Sequence, residues 1–347
     1  MTTKNKVCIL ATGGTIASVS DEKTQSLRPG LRVDQLIARL PKGMSDIQVI
    51  KRDLMQMDSA NLQPHHWQKI SGEIKTAVEE VPDLRGIVVT HGTDTMVYSA
   101  SAVSFMIQDL GIPIVFTGSQ IPASVPWSDG PRNLLDAIRV AAFADLGETC
   151  IVFNGEIHRP TRTKKTRVNT YDAFDSMDPR PLGMIAREIV LYDGRRNRHN
   201  LIPRFDTQLD DRVFLLKVFP GIPPRILNRI AAMGYRGIVI EGYGEGTIPS
   251  QENALAGGIS QVIANGCIVV ISSQCTYGDA DLSIYEVGRT ALEVGALGAH
   301  DMTSEAAFVK LAWILGHSRD PEVVKKMMRT NYVGEVSYRL DESSVDI

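Results

Sequence analysis

Val7-Cys8-Ile9-Leu10-Ala11-Thr12-Gly13-Gly14-Thr15-Ile16 is the stretch that decides the fold. Its apolar run, unbroken by polar alternation, suits a strand buried on both faces, and the glycine pair after it allows a sharp turn and close backbone approach. The same order recurs downstream: a short β-branched run, a small polar turn, then a segment with three-and-four spacing. Strands are expected at 7–11, 47–51, 86–90, 113–116 and 150–153, and helices at 33–40, 65–78, 97–110 and 131–142. Such alternation predicts a parallel sheet covered by helices on both faces. The pattern breaks at 192–211, where Asp193-Gly194-Arg195-Arg196-Asn197-Arg198-His199-Asn200 is polar, basic and aperiodic. A second set follows, with strands at 213–219, 237–241 and 267–272 and helices at 225–233, 251–265 and 303–316. The expectation is an α/β protein of two domains, each a parallel or mostly parallel sheet flanked by helices. Residues 1–191 form the first, 192–212 the linker, and 213–347 the smaller second domain. The last helix, apolar on nearly every face from Ala306 to Leu315, should be buried or packed at a subunit contact.

With 347 residues, 43% hydrophobic and 22% charged, the chain can bury a full core. Its 37 Lys and Arg against 40 Asp and Glu leave a net charge of −3, which gives no overall field for nucleic acid or an anionic membrane. Cys8, Cys150, Cys267 and Cys275 are widely spaced with no CxxC pair, so they read as reduced thiols of a cytoplasmic protein. The apolar run at 7–11 is too short for a signal-peptide core, and no stretch of about 20 apolar residues predicts a membrane span.

In a parallel α/β sheet, ligands gather at the carboxyl ends of the strands. After the first strand, Thr12-Gly13-Gly14-Thr15 presents a hydroxyl where a plain tight turn would also satisfy the pattern. No Gly-Lys-Ser/Thr follows, which makes a phosphate loop a poor alternative, and no GxGxxG is present there. After the third strand, His91-Gly92-Thr93-Asp94-Thr95 adds a hydroxyl and a carboxylate, although Thr93 or Asp94 could instead cap the next helix. Phe116-Thr117-Gly118-Ser119-Gln120 and Asp58-Ser59-Ala60-Asn61 complete the set, the latter also readable as a cap ahead of Pro64. These loops make a pocket rich in hydroxyls and carboxylates. The histidines are scattered and offer no metal-ligand cluster, so no metal is expected.

A threonine nucleophile needs a base or a positive charge to favour loss of its proton. His158-Arg159-Pro160-Thr161-Arg162-Thr163-Lys164-Lys165-Thr166-Arg167 offers one, since a partly buried lysine gives up its proton more readily. The competing readings of this run are a solvated face or a nucleic-acid patch, the second weakened by the lack of interleaved aromatics.

Thr12-Gly13-Gly14-Thr15-Ile16-Ala17 and His91-Gly92-Thr93-Asp94-Thr95 resemble the two signature motifs of the bacterial-type L-asparaginase family. The resemblance continues through Thr117-Gly118-Ser119-Gln120, Asp129-Gly130 with Asn133-Leu134, Phe174-Asp175-Ser176, Glu241-Gly242-Tyr243-Gly244 and Asp301-Met302-Thr303. It covers nearly the whole chain and points to the cytoplasmic type I branch. The resemblance implies cofactor-free hydrolysis of L-asparagine to L-aspartate and ammonia. Thr15 would attack the side-chain amide carbon to give an acyl-enzyme, and Thr93, Lys165 and Asp94 would match the family's second hydroxyl, lysine and carboxylate. Lys165 rather than Lys164 is chosen because it lies nine residues before Phe174, the family's spacing. Ser59 would bind the substrate α-carboxylate, Asp94 together with Asp58 the α-ammonium, and the Ser119 carbonyl the amide. Backbone NH groups of Thr15 and Thr93 would be the oxyanion donors.

Three features depart from the family. Members often carry a lid tyrosine shortly after the nucleophile, yet 18–32 has none and the first tyrosine is Tyr98; either a lid residue such as Gln25 or Leu27 only closes the site over the substrate, or a tyrosine from elsewhere enters it. An allosteric site of type I enzymes uses an arginine where this chain has Glu241, so despite Cys275 no allosteric activation is expected. A carboxylate from a neighbouring subunit completes the family's site, and Asp279 or Asp281 is its match. A homodimer, or a homotetramer built from two, is therefore expected, with L-asparagine as the partner and neither nucleic acid nor membrane. Two alternatives remain. One is the asparaginase-like subunit of the archaeal glutamyl-tRNA amidotransferase, whose additional N-terminal domain has no room before a strand starting near Val7. The other is a non-catalytic amino-acid-binding or nucleotide-binding protein using 159–167 as an interaction surface. Asparagine against glutamine stays open, since one methylene of pocket depth is worth only about 1–3 kcal/mol.

Overall fold

The computed structural model describes residues 4–20, 27–40, 44–177, 180–251 and 255–337. The chain divides into two compact units, one of residues 1–176 with 180–207 and the other of 177–179 with 208–347. Each is built on its own sheet, so the α/β reading holds.

In the first unit an eight-stranded sheet has five parallel strands, in the order Thr149–Phe153, Ile114–Thr117, Leu84–Thr90, Asn5–Gly13 and Ile47–Met57. Val7, Cys8, Ile9 and Leu10 are all fully buried, as an unbroken apolar run between two neighbouring strands requires. Val7, Ile9 and Ala11 share a core with Leu134, Ala137, Ile138 and Ala141 of the helix Gly130–Phe143. That helix packs so closely that a Cβ on Gly86 would lie 2.5 Å from the Ala141 carbonyl oxygen.

Three short strands, Glu156–His158, Gly183–Ile185 and Ile189–Leu191, extend one edge in antiparallel fashion. The reversal comes at Asn154-Gly155, whose φ of 48° and 80° fit a tight hairpin turn matched to strand twist. Other boundaries move for tertiary reasons. The strand expected at 47–51 runs to Met57, because its ladder with the opening strand continues to Asp53 and resumes beyond an irregularity at Gly13 and Met57. The helix expected at 97–110 stops at Met106, and Ile107–Gln108 pairs instead with Arg204–Phe205. Residues 192–207, expected as linker, lie along the first unit. There the Arg198 guanidinium donates to the carbonyls of Arg85, Ala141 and Ala144.

The second unit holds four parallel strands in sequence order, Val213–Lys217, Gly237–Gly242, Ile268–Ser273 and Leu297–Gly298. Its helix Ser304–Leu315 is buried at most positions, and Leu311 and Leu315 sit where a Cβ on Gly237 would go. Lys310 within that helix and Glu335 are both 0% exposed and 2.6 Å apart. Lys310 also donates to the Met328 and Thr330 carbonyls, and Glu335 accepts from the Tyr332 and Val333 amides. Burial pushes the Lys310 ammonium down from its usual range, against the pull of Glu335. Among the described residues no helix is long and apolar enough to cross a membrane.

Candidate functional site

Three loops meet at close range at the carboxyl edge of the first sheet. Gly13 and Gly14 have φ of 103° and 78°, a path open to glycine, and Thr15 then begins the short turn Thr15–Ala17. A Cβ on Gly14 would lie 2.3 Å from Gly92 N, and one on Gly92 would lie 2.4 Å from Ser59 Oγ. The loops carrying Thr15, Ser59 and Thr93 therefore touch because two positions lack side chains. Thr12 Oγ1 donates to the Thr90 carbonyl at 2.8 Å, and Gly14 N to the Met57 carbonyl at 3.0 Å, lacing the three strands together. The antiparallel pair Ser18–Ser20 and Leu27–Pro29 follows directly; Gln25 lies outside the described residues.

Neither Thr93 nor Asp94 caps the following helix. Its N-cap is Thr95, whose hydroxyl donates to the Ser59 carbonyl at 2.8 Å. Thr93 and Asp94 meet Lys165 instead: Lys165 Nζ donates to Thr93 Oγ1 at 2.8 Å and lies 2.6 Å from Asp94 Oδ1. Thr93 is buried, whereas the Asp94 side chain is 63% exposed, so solvent screens the ion pair. Lys165 arrives on the strand Thr163–Lys165, which pairs antiparallel with Phe174–Ser176 and sets Lys165 opposite Phe174. The nine-residue spacing is thus the register of one hairpin, and strand alternation directs Lys164 to its other face.

The basic run is no open cationic face. Arg159 and Arg162 are buried, Arg159 forked onto the Glu148 carboxylate at 2.7 and 2.9 Å, and Arg167 pairs with Asp172 and Asp175. This corrects both the solvated-face reading and the use of 159–167 as an interaction surface. A buried arginine needs its carboxylate, and Arg159 has one in Glu148.

Ser119 is fully buried, and its neighbours are tied down around it. The Asp129 carboxylate accepts from the Gln120 and Ile121 amides, and Asn133 Nδ2 donates to the Gly118 carbonyl and to Asp129. Ser59 is buried, while the exposed Asp58 caps its own turn by accepting from Ala60 N at 3.0 Å. His91, in the sequence only one member of a motif, pins its own loop to the helix Met96–Met106 that follows. Its Nδ1 lies 2.7 Å from the Gly92 carbonyl and so carries the proton, leaving Nε2 to accept from Ser99 Oγ at 2.9 Å. Burial holds its pKa down to about 4 against that carbonyl's opposing pull, so His91 is neutral near pH 7. Nothing in the local sequence distinguishes such a pin from a base. Sequence reasoning also misses Gln120, whose side chain bridges Thr93 to the Lys165 hairpin, because no local signal reports that bridge.

The remaining candidates lie in the second unit. Asp281 Oδ1 accepts from Ser283 N and Oγ, Asp279 adjoins the isolated bridge between Ala280 and His300, Glu241 stands on the strand Gly237–Gly242, and Cys275 is exposed. Among the described residues no group of three or more His, Cys, Asp and Glu is placed to hold a metal ion.

A family model described as asparaginase, N-terminal, matches residues 6–197, and one described as glutaminase/asparaginase C-terminal domain matches 212–328. A glutamyl-tRNA(Gln) amidotransferase subunit of Pyrococcus horikoshii is 37% identical over 341 residues, 95% of this chain and 76% of that protein. L-asparaginase of Thermococcus kodakarensis is 38% identical over 333 residues, 96% of this chain and 99% of that protein. A solved structure of the thermostable L-asparaginase from that organism superposes with a TM-score of 0.89 at 37% identity, covering 96% of this chain and 100% of its own. L-asparaginase I from Vibrio cholerae gives 0.83 at 27% identity, covering 96% and 100%. Motifs, two-unit architecture and both matched domains agree, and the chain belongs to the asparaginase family.

Proposed function

We propose that this protein is an L-asparaginase, hydrolysing L-asparagine to L-aspartate and ammonia. The observation that carries the reading is the contact of Lys165 with both Thr93 and Asp94, on a loop that packs against the one bearing Thr15. In this reading Thr15 Oγ attacks the side-chain amide carbon, and Thr93 with Lys165 passes its proton to the departing nitrogen. The C–N bond breaks, ammonia leaves, and water cleaves the resulting ester to give aspartate and restore Thr15. Backbone NH groups of Thr15 and Thr93 stabilise the oxyanion, a contribution worth several kcal/mol in comparable sites. Ser59 takes the α-carboxylate, Asp94 with Asp58 the α-ammonium, and the Ser119 carbonyl the amide. Both displacements occur at one carbon and call for no cofactor. The working unit is a cytoplasmic homodimer or homotetramer, completed by Asp279 or Asp281 of a second copy; a fully active monomer would overturn that part.

Ammonia release from L-asparagine and L-glutamine, by the native chain and by Thr15→Ala, tests the reading. Native release with loss of at least about 100-fold in the variant is expected, the scale on which acid–base and nucleophilic groups act. Undiminished release by Thr15→Ala would overturn the nucleophile. A second reading, an amidotransferase component handing its ammonia to another acceptor, draws on the 37% identity to the Pyrococcus horikoshii protein. It is favoured if the chain alone is inactive on both amino acids and gains activity when joined by a second protein.

A further inference from the structure

The Thr93 hydroxyl has one proton to give and two lone pairs with which to accept. Lys165 Nζ donates to it at 2.8 Å and occupies a lone pair, so the Thr93 proton must point elsewhere. It points to Gln120 Oε1, 3.3 Å away. The Gln120 amide cannot be turned round, because its Nε2 donates to the carbonyls of Val168 at 2.8 Å and Thr170 at 3.2 Å. A flip would set an oxygen against two carbonyl oxygens. At its other end Gln120 is fixed by its backbone NH, held at 3.0–3.1 Å by the Asp129 carboxylate. One rigid side chain therefore touches the Thr93 loop and the hairpin that delivers Lys165.

We propose that Gln120 is a positioning residue of this site, orienting the Thr93 hydroxyl so that a lone pair faces Lys165, with its own amide fixed by the Lys165 hairpin. The role rests on the amide-hydrolysis reading. Gln120 acts through Thr93 on a proton in flight, so its loss is felt in turnover rather than in capture of the substrate's charged ends.

Gln120→Met keeps the length and unbranched shape and removes both polar contacts, and the freed Val168 and Thr170 carbonyls lie where water can reach them. For L-asparagine hydrolysis we expect kcat to fall roughly tenfold, part of the whole benefit of positioned proton transfer, with KM within about twofold. The same substitution is then made in Thr93→Val, using enough enzyme to read residual turnover. If Gln120 works through the hydroxyl, its effect disappears there, to within about twofold. A kcat for Gln120→Met within about twofold of native overturns the proposal, and so does an equal loss in both backgrounds, which marks a merely structural contact. A native chain inactive on asparagine overturns the hydrolytic reading and this role together; an active native chain with either null result overturns this role alone.

Discussion

Lowering the pH from 8 to 5 should destabilise the first unit by about 4 kcal/mol, through two histidines held neutral by burial. His91 and His158 are fully buried, and burial holds the pKa of each down to about 4. For His158 the nearby Asp175 opposes that shift. The unfolded chain has both near 6.5, so below that value the unfolded state binds protons that the folded state refuses. Folded-state pKa values are depressed, hence stability is fully present above about pH 6.5 and declines as pH falls toward 4. At pH 5 the unfolded histidine lies about 1.5 pH units inside its charged range, worth about 2 kcal/mol per residue at about 1.36 kcal/mol per unit. Burial raises the pKa of Glu156, beside His158 at 3.4 Å, and so works in the opposite sense and returns a part. The lowered carboxylate Asp175 acts only below the window, and His66, lowered by its partial burial, adds in the same sense as the other two histidines. Urea titrations at pH 8, 6.5 and 5 provide the measurement. Trp67 and Trp127 lie in the first unit and Trp313 in the second, so fluorescence in Trp313→Phe follows the first unit alone and avoids mixing two transitions. His158→Asn should remove about 2 kcal/mol of the pH dependence, whatever it does to absolute stability. A first unit whose stability changes by less than about 1 kcal/mol from pH 8 to 5 would refute the reasoning.

Gly14→Ala should cost more than Gly194→Ala, although both glycines have positive φ. Gly194 has open space around it and incurs only the backbone cost, about 1–2 kcal/mol, whereas Gly14 also drives a Cβ into Gly92, adding about 1–3 kcal/mol. Paired melting curves decide this, and equal costs would mean that the loops do not need their backbone contact. In the second unit, Lys310→Met should destabilise by about 3–5 kcal/mol, because it strands the Glu335 carboxylate in a dry interior, and Lys310→Met with Glu335→Leu should recover much of that loss. Trp313 fluorescence during unfolding reads it, and a double variant as unstable as the single one would show that the ion pair itself supplies the stability.

Unbroken apolar runs at Val7–Leu10, then a turn that only glycines can make, left little choice but a buried parallel strand ending in a sharp loop, and this was legible in order along the chain. The Asn154-Gly155 hairpin is equally written in the sequence, since two residues at positive φ are a local demand. The end of the helix at Met106 was not legible, because what stops it is pairing with Arg204–Phe205 far along the chain. The site divides in the same way. Sequence by itself determined which loops carry hydroxyls and carboxylates, because strand period and glycine geometry are short-range; Lys165 was singled out by the family resemblance, whose nine-residue spacing the structure shows to be the register of one hairpin. Only the tertiary structure decided that Arg159 and Arg162 turn inward, that His91 is a neutral pin, and that Gln120 joins Thr93 to the lysine hairpin. Each of these depends on what stands opposite a side chain across the sheet edge, and burial and hydrogen-bond partners of that kind come from residues distant in sequence and adjacent only after folding.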